Sequence, residues 1–287
     1  MDTASLQALI AIAETGSFSR ASESLFITQP AISKRIASLE SELGVSLIDR
    51  MGRNTRLTEA GETLLVSAKR ILADIESSRE EVQSLESEVG GRLALAMSHH
   101  IGIHRLPPVL KTFTQRYPDV ELDLLFMDSE KACDRVSDGS IELAIVTLPQ
   151  HPADNLETAL IWDDPLSIVC ANDHPLLTVR NPKPSELAKH AAVLPAQGTV
   201  TRDIILAAIA PRNISITTTL ETNYLETIKV MVSVGLGWSA LPLSMVDETI
   251  STVNVKALNM HRRLGSVQLR DRTLGRAANA LIALLSA

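Results

Sequence analysis

Gln29 and Ser33 stand four residues apart beside Thr28 and Pro30, and Lys34 and Arg35 follow at once. A glutamine carboxamide can bond an adenine edge through two hydrogen bonds. A serine hydroxyl can donate to a base or a phosphate, and a Lys or Arg can read guanine or neutralise phosphate. Arg50, Arg53 and Arg56 form a second group within seven residues, with Asp49 the only acid beside it. An arginine at a hairpin tip suits a narrow A·T minor groove. The chemistry these groups could do is recognition of double-stranded DNA.

The surrounding pattern positions them. Leu6, Leu9, Ile10 and Ala13 have helical spacing, and Gly16 stops that helix. Ser17 caps a short second helix over 19–25. Thr28 is an N-cap for a third, with Pro30 in its first turn and Gly44 at its end. The last two helices and their short turn have helix-turn-helix spacing. The capped N-terminus adds a phosphate-friendly positive end. Residues 45–57 alternate around Gly52 and Asn54 and predict a β-hairpin wing. Thr58 then caps a long helix whose Leu64, Ala68, Ile71, Ile75, Val82, Leu85 and Val89 form a heptad seam. Ser78 fills the missing apolar position, and the seam predicts dimerisation.

The net charge of -7 argues against nucleic acid until it is divided along the chain. Residues 1–57 hold six basic and six acidic side chains, 58–91 three and eight, and 92–287 eighteen and twenty. The middle acidity is the solvated face of the long helix, so the neutral first segment keeps its two basic spots. With 45% hydrophobic residues, the chain of 287 is too ordered for wholesale disorder and long enough for two or three domains. No apolar run nears the ~18 residues of a membrane span. The start lacks a signal peptide and two cysteines make no disulfide framework, which predicts a cytoplasmic, nucleoid-associated protein with no membrane partner.

From residue 92 strands and helices alternate. Strands are expected at 93–97, 120–126, 143–147, 166–171, 192–194, 214–218, 238–241 and 264–269. Helices are expected at 106–116, 131–138, 202–210, 224–234 and 275–285. The reading is an α/β layout of mostly parallel sheets. No nucleophile elbow, P-loop, dinucleotide fingerprint or metal signature is present, so the chain reads as a non-enzyme.

Residues 15–21 (Thr-Gly-Ser-Phe-Ser-Arg-Ala), 28–36 (Thr-Gln-Pro-Ala-Ile-Ser-Lys-Arg-Ile), Leu39-Glu40, Leu43-Gly44-Val45, 50–53 and 57–61 together resemble the LysR-type transcriptional regulators. Ile48 and Ser22 depart from the usual Phe and Ala, off the DNA-facing positions. The resemblance implies an α + α/β protein in three parts. These are a winged helix-turn-helix (1–58), a linker and dimerisation helix (59–91), and an effector-binding domain (92–287) similar to periplasmic binding proteins. Its two α/β subdomains would be 92–162 with 267–287, and 163–266, with crossovers near 161–165 and 264–267. DNA-binding positions would be Thr28, Gln29, Pro30, Ser33, Lys34, Arg35, Arg50 and Arg53. The protein would be a homodimer or dimer of dimers on a partial palindrome, contacting RNA polymerase.

Residues 93–107 are similar to the sulfur-assimilation regulators of that family, which implies that Ser98, Thr147 and Thr199 hold an anion by their hydroxyls. His99, His100 and Asp128 stand nearby in the same layout, and Trp162 near the crossover could line the cleft. The histidines make the site differ, so a small organic acid is at least as good an expectation as sulfate or another inorganic oxyanion. Ser98 and Thr199 could equally cap helices, and the histidines could bond backbone. No cofactor is expected. His100 and His104 are four apart, but no Cys or acid lies close to them in sequence, so no metal is expected. Gly235 and Gly237 read as structural. Cys133 and Cys170 are placed in different subdomains, which argues against a disulfide switch. The alternatives are a ligand-independent DNA-binding repressor and a transport-type binding protein.

Overall fold

The computed structural model describes residues 1–49, 55–83, 89–209, 215–255 and 258–286. It divides into a unit of Met1–Glu88 with Asp138–Ser140 and a unit of Val89–Ser137 with Ile141–Ala287.

In the first unit, α1 (Thr3–Thr15) begins where the Asp2 carboxylate accepts from Ser5 N–H at 2.7 Å. It ends at Gly16, whose φ is 64°. α2 (Phe18–Ser24) starts at Ser17, and α3 (Gln29–Leu43) ends at Gly44. Ala8, Leu9, Ile12, Ala21, Ile32, Ile36 and Leu39 meet in one core. Fully burying each larger aliphatic side chain contributes about 1.5–3 kcal/mol. β1 (Ile48–Asp49) pairs antiparallel with β2 (Arg56–Leu57). The Glu40 carboxylate ties this wing to α3 by accepting from Leu47 N–H at 2.8 Å and Ile48 N–H at 3.2 Å. The tip with Arg50 and Arg53 lies outside the described residues.

Thr58 Oγ1 accepts from Gly61 N–H at 3.1 Å and so caps α4 (Glu59–Gln83). Gly61 is needed there, because a Cβ would overlap the Leu47 carbonyl oxygen. Ala68 is buried, while Ile71, Ile75, Ser78 and Val82, with Asp74 and Arg79, line an open groove along the helix. Of the expected seam, Leu85 lies outside the described residues. Val89 departs from it, packing on the core of the second unit.

The second unit opens with β3 (Gly91–Met97), α5 (His99–His104), α6 (Pro107–Arg116), β4 (Val120–Phe126), α7 (Ser129–Ser137) and β5 (Leu143–Thr147). Then come β6 (Leu156–Cys170), α8 (Pro184–Leu187), β7 (Ala192–Leu194), α9 (Val200–Ile209), β8 (Thr218–Glu221), α10 (Leu225–Ser233), β9 (Ser239–Pro242), β10 (Ser251–Val253), β11 (Met260–Leu269) and α11 (Arg276–Leu285). One sheet runs β10-β6-β11-β5-β3-β4, with β9 also on β6, and β7 pairs β8 separately.

The sheets are mixed, which corrects the mostly parallel expectation. β3 pairs in parallel with β4 and β5, but β11 runs antiparallel to both β5 and β6. The two expected crossovers are the middles of β6 and β11, which pair from Leu156 to Leu166 with a register shift at Leu264/Gly265. β6 thus starts ten residues before the expected strand. Its polar middle, Asp163-Asp164-Pro165, reads as a loop, yet β11 runs alongside and sets Arg262 opposite Asp164. β8 likewise falls at 218–221, after the expected 214–218.

Apolar clusters flank each half. One joins Leu93, Leu95, Phe113, Leu143 and Leu281, so α11 returns to the first strand. Another joins Ala132, Val136, Val146 and Val267. Beyond the long strands, Leu166, Ile168, Leu187, Ile205 and Trp238 form a third, and Val169, Val193, Ile228 and Leu241 a fourth. Gly237 is structural, as expected: its Cβ would strike the Ala191 carbonyl. Trp238 Nε1 donates to the carbonyls of Leu187 at 3.0 Å and His190 at 3.2 Å.

Candidate functional site

On α3 the buried stripe Ile32, Ile36 and Leu39 fixes which face is turned outward. Thr28, Gln29, Pro30 and Lys34 are exposed, and Ser33 and Arg35 half-buried. Thr28 sits at the N-cap position without a side-chain cap bond, so its hydroxyl is not spent on the helix. The Thr28 carbonyl accepts from Ala31 N–H and Ile32 N–H at 3.0 and 3.2 Å. Gln29, Pro30, Ser33 and Lys34 form one polar edge at the start of a 15-residue helix. Sequence reasoning passed over Phe26, which is 94% exposed in the turn before this helix with φ 53°. An exposed phenylalanine offers a ring that suits contact with a sugar or a thymine methyl.

The second site lies where β3, β4 and β5 end on one edge of the sheet. Ser98, His99 and His100 follow β3, Asp128 follows β4, and Thr147 ends β5. All five line one cavity, and Thr199, beside α9, lines it from the other side. Trp162 stands apart: it packs against the Leu93–Phe113 cluster and is not among the residues lining that cavity. The cavity is small, about 50 Å³.

The hydroxyls differ in their commitments. Thr199 Oγ1 donates to the Ala196 carbonyl at 2.8 Å and accepts from Arg202 N–H at 3.4 Å, so it caps α9 as well as facing the cavity. Ser98 makes no side-chain cap bond at the start of α5. Ser129, a further lining residue, accepts from Thr147 N–H at 3.1 Å.

Arg262, Thr201, Asn223 and Glu130 also line the cavity and were missed from sequence. Arg262 is 3% exposed. Its Nε and Nη2 donate to Asp164 at 2.9 and 2.5 Å, and Nη1 donates to Thr201 Oγ1 at 3.4 Å. Arg105 Nη2 adds a bond to the other Asp164 oxygen at 2.9 Å. Met260-His-Arg-Arg-Leu264 alternates buried and exposed, which places Arg262 inside. Glu130 Oε1 accepts from Val200 N–H at 2.8 Å, so a carboxylate from α7 already occupies the N-terminus of α9. His99 stacks edge-on against Tyr224 with centroids 4.7 Å apart.

Next to the cavity, His104 Nε2 lies 3.0 Å and His100 Nδ1 3.7 Å from Glu226 Oε1. The neighbouring imidazoles, His100 foremost, hold the Glu226 carboxyl down at about 2, so it is ionised at neutral pH. Burial pushes His100 below the ordinary imidazole range, which keeps its ring neutral there.

Both cysteines are buried and free. Burial pushes the Cys133 and Cys170 thiols up to about 11. Below that value they stay protonated and are weak nucleophiles. A thiol reagent at pH 8 is therefore expected to label neither cysteine in the native protein and both after unfolding, as read by mass spectrometry. Among the described residues no helix is long and apolar enough to cross a membrane.

Residues 3–62 match the family described as bacterial regulatory helix-turn-helix protein, lysR family, and residues 86–287 match the LysR substrate binding domain. A probable RuBisCO transcriptional regulator of Trieres chinensis is 31% identical over 276 residues, covering 91% of this chain and 89% of the relative. An uncharacterized HTH-type transcriptional regulator of Azotobacter vinelandii is 62% identical over 108 residues, 38% of this chain and 75% of that one. A full-length OxyR variant from Pseudomonas aeruginosa superposes with a TM-score of 0.72 at 26% identity, covering all of this chain and 93% of the other.

Proposed function

The chain belongs to the LysR family of DNA-binding transcriptional regulators, which are not enzymes, and from that premise we propose that it switches promoter binding in response to a small hydroxylated organic acid. The observation that carries the ligand reading is Arg262, a guanidinium inside a cavity walled by Ser98, Thr147 and Thr201. Asp164 pairs with Arg262, so a carboxylate here is held chiefly by hydrogen bonds from the hydroxyls, with Arg262 as a partly offset cation beside them. Asp128 and Glu130 line the same cavity. Their charge disfavours a bare dianion such as sulfate, and their oxygens can accept from hydroxyl groups on the ligand.

α3 enters the major groove with Gln29, Ser33 and Lys34 toward the bases, and Arg50, Arg53 and Arg35 serve the flanking backbone and minor groove. The groove along Ile71, Ile75 and Val82 receives a second copy, giving a dimer and then a dimer of dimers. The regulator works in the cytoplasm on the nucleoid, and its ligand alters DNA bending and contact with RNA polymerase.

The test is native mass spectrometry of the purified protein for a co-purified acid. Footprinting and bend-angle measurement follow, with sulfate and a series of hydroxy acids. The expected result is a ligand-dependent footprint with a hydroxy acid. If no acid changes footprint or bend, the ligand-independent repressor replaces this reading. Glu130→Gln removes a carboxylate from the cavity, so the anionic effector is expected to bind about 10-fold tighter by calorimetry. Unchanged or weaker binding would place the ligand elsewhere.

A further inference from the structure

We propose that His100, His104 and Glu226 form a binding site for a divalent transition-metal ion of the zinc class. One ligand atom from each lies within 4.8 Å of the other two. His100 is 4% exposed, and both of its ring nitrogens are buried without a hydrogen-bond partner among the described residues. A buried imidazole with both nitrogens unmatched costs about 1–3 kcal/mol for each lost bond. An ion on one nitrogen removes part of that cost.

The ligand set was invisible in sequence because the acid comes from 122 residues beyond His104. His100 and His104 are one turn apart on α5, and their rings lie 4.9 Å apart. Glu226 is the second residue of α10, in the half of the unit beyond the long strands. Zinc sits about 2.0–2.2 Å from imidazole nitrogen and carboxylate oxygen, so tetrahedral ligands stand about 3.4 Å apart. The two measured separations to Glu226 Oε1, 3.0 and 3.7 Å, bracket that value.

Two imidazoles select zinc, cobalt, nickel or copper over magnesium and calcium, which prefer all-oxygen shells. Three protein ligands leave a fourth position for water or a ligand atom. His100 also lines the effector cavity. The charged groups acting on His100 besides Glu226 and His104 are Arg262 and Asp164. Asp164 is ion-paired to Arg262, so the nearest cationic charge is already offset. An ion here ties α5 to α10 beside the cavity, so occupancy is expected to hold those two helices together.

Untagged, full-length protein stripped by chelator is titrated with cobalt(II) and, separately, zinc(II) against calorimetry. The expected result is one ion per chain, with visible absorption characteristic of tetrahedral cobalt that zinc abolishes. His104→Gln and Glu226→Gln are each expected to weaken binding at least about 100-fold, since outer-shell changes alone cost 10–100-fold. His104 and Glu226 are 37% and 33% exposed, so both variants are expected to fold, which circular dichroism checks. His151→Gln, outside the cluster, is expected to bind as the parent does. Absence of binding to the parent protein, or variants that bind cobalt as the parent does, would overturn the site. Neither outcome bears on the organic acid, which is assayed without metal.

Discussion

Asp164→Asn is expected to lower the unfolding free energy of the effector domain by about 3–5 kcal/mol. Asp164 is 1% exposed and answers two guanidiniums, Arg262 through two bonds and Arg105 through one. Losing its charge leaves Arg262, 3% exposed, desolvated without the counter-ion bonded to it. The surrounding strands cannot relax to hydrate it, because β6 and β11 are paired through this stretch. Urea unfolding of the full-length protein checks the figure through a lower midpoint at unchanged slope. The neighbouring Asp163→Asn is the control. Its carboxylate is 62% exposed and pairs with His261 at 3.0 Å, so a change within about 0.5 kcal/mol is expected. Equal losses in the two variants would mean that the Arg262 cluster adds nothing beyond surface charge.

That cluster also marks where the sequence stopped being readable. In the head, every expected helix forms, because Gly16, Gly44 and Thr58 are local punctuation acting on their own neighbours. Ser98, His99, His100, Asp128 and Thr147 line one cavity because the parallel strands β3, β4 and β5 end on one edge of the sheet, and Thr199, before α9, faces them from the other side. Arg262 was missed because its strand, which starts at Met260, was expected to start four residues later, at Leu264. A charge satisfied across strands reads locally as a loop, and both Asp164 and Arg262 carry such charges. Glu226 was missed for a related reason. Nothing within reach of His104 in sequence signals a carboxylate that only the fold delivers.

Gln29→Ala is expected to weaken binding to the specific DNA site by about 1–3 kcal/mol per head, or roughly 5–150-fold, while leaving binding to unrelated DNA unchanged. Gln29 is exposed at the outward edge of α3, whose opposite stripe of Ile32, Ile36 and Leu39 is buried and fixes the helix in place. The variant therefore loses base contact without losing packing. Ser33→Ala is expected to fall in the same direction by less, because a single hydroxyl bond replaces a bidentate pair. Lys34→Ala separates the two kinds of contact. As a phosphate neutraliser it is expected to weaken specific and nonspecific binding alike and to reduce the salt slope by about 1. Equilibrium titrations of specific and scrambled duplexes at several salt concentrations check all three. If Gln29→Ala weakens both duplexes equally, α3 holds phosphate only and sequence is read elsewhere. The net charge of -7 sharpens this test. An acidic protein has little general attraction for DNA, so its few basic contacts dominate the salt slope and each can be counted.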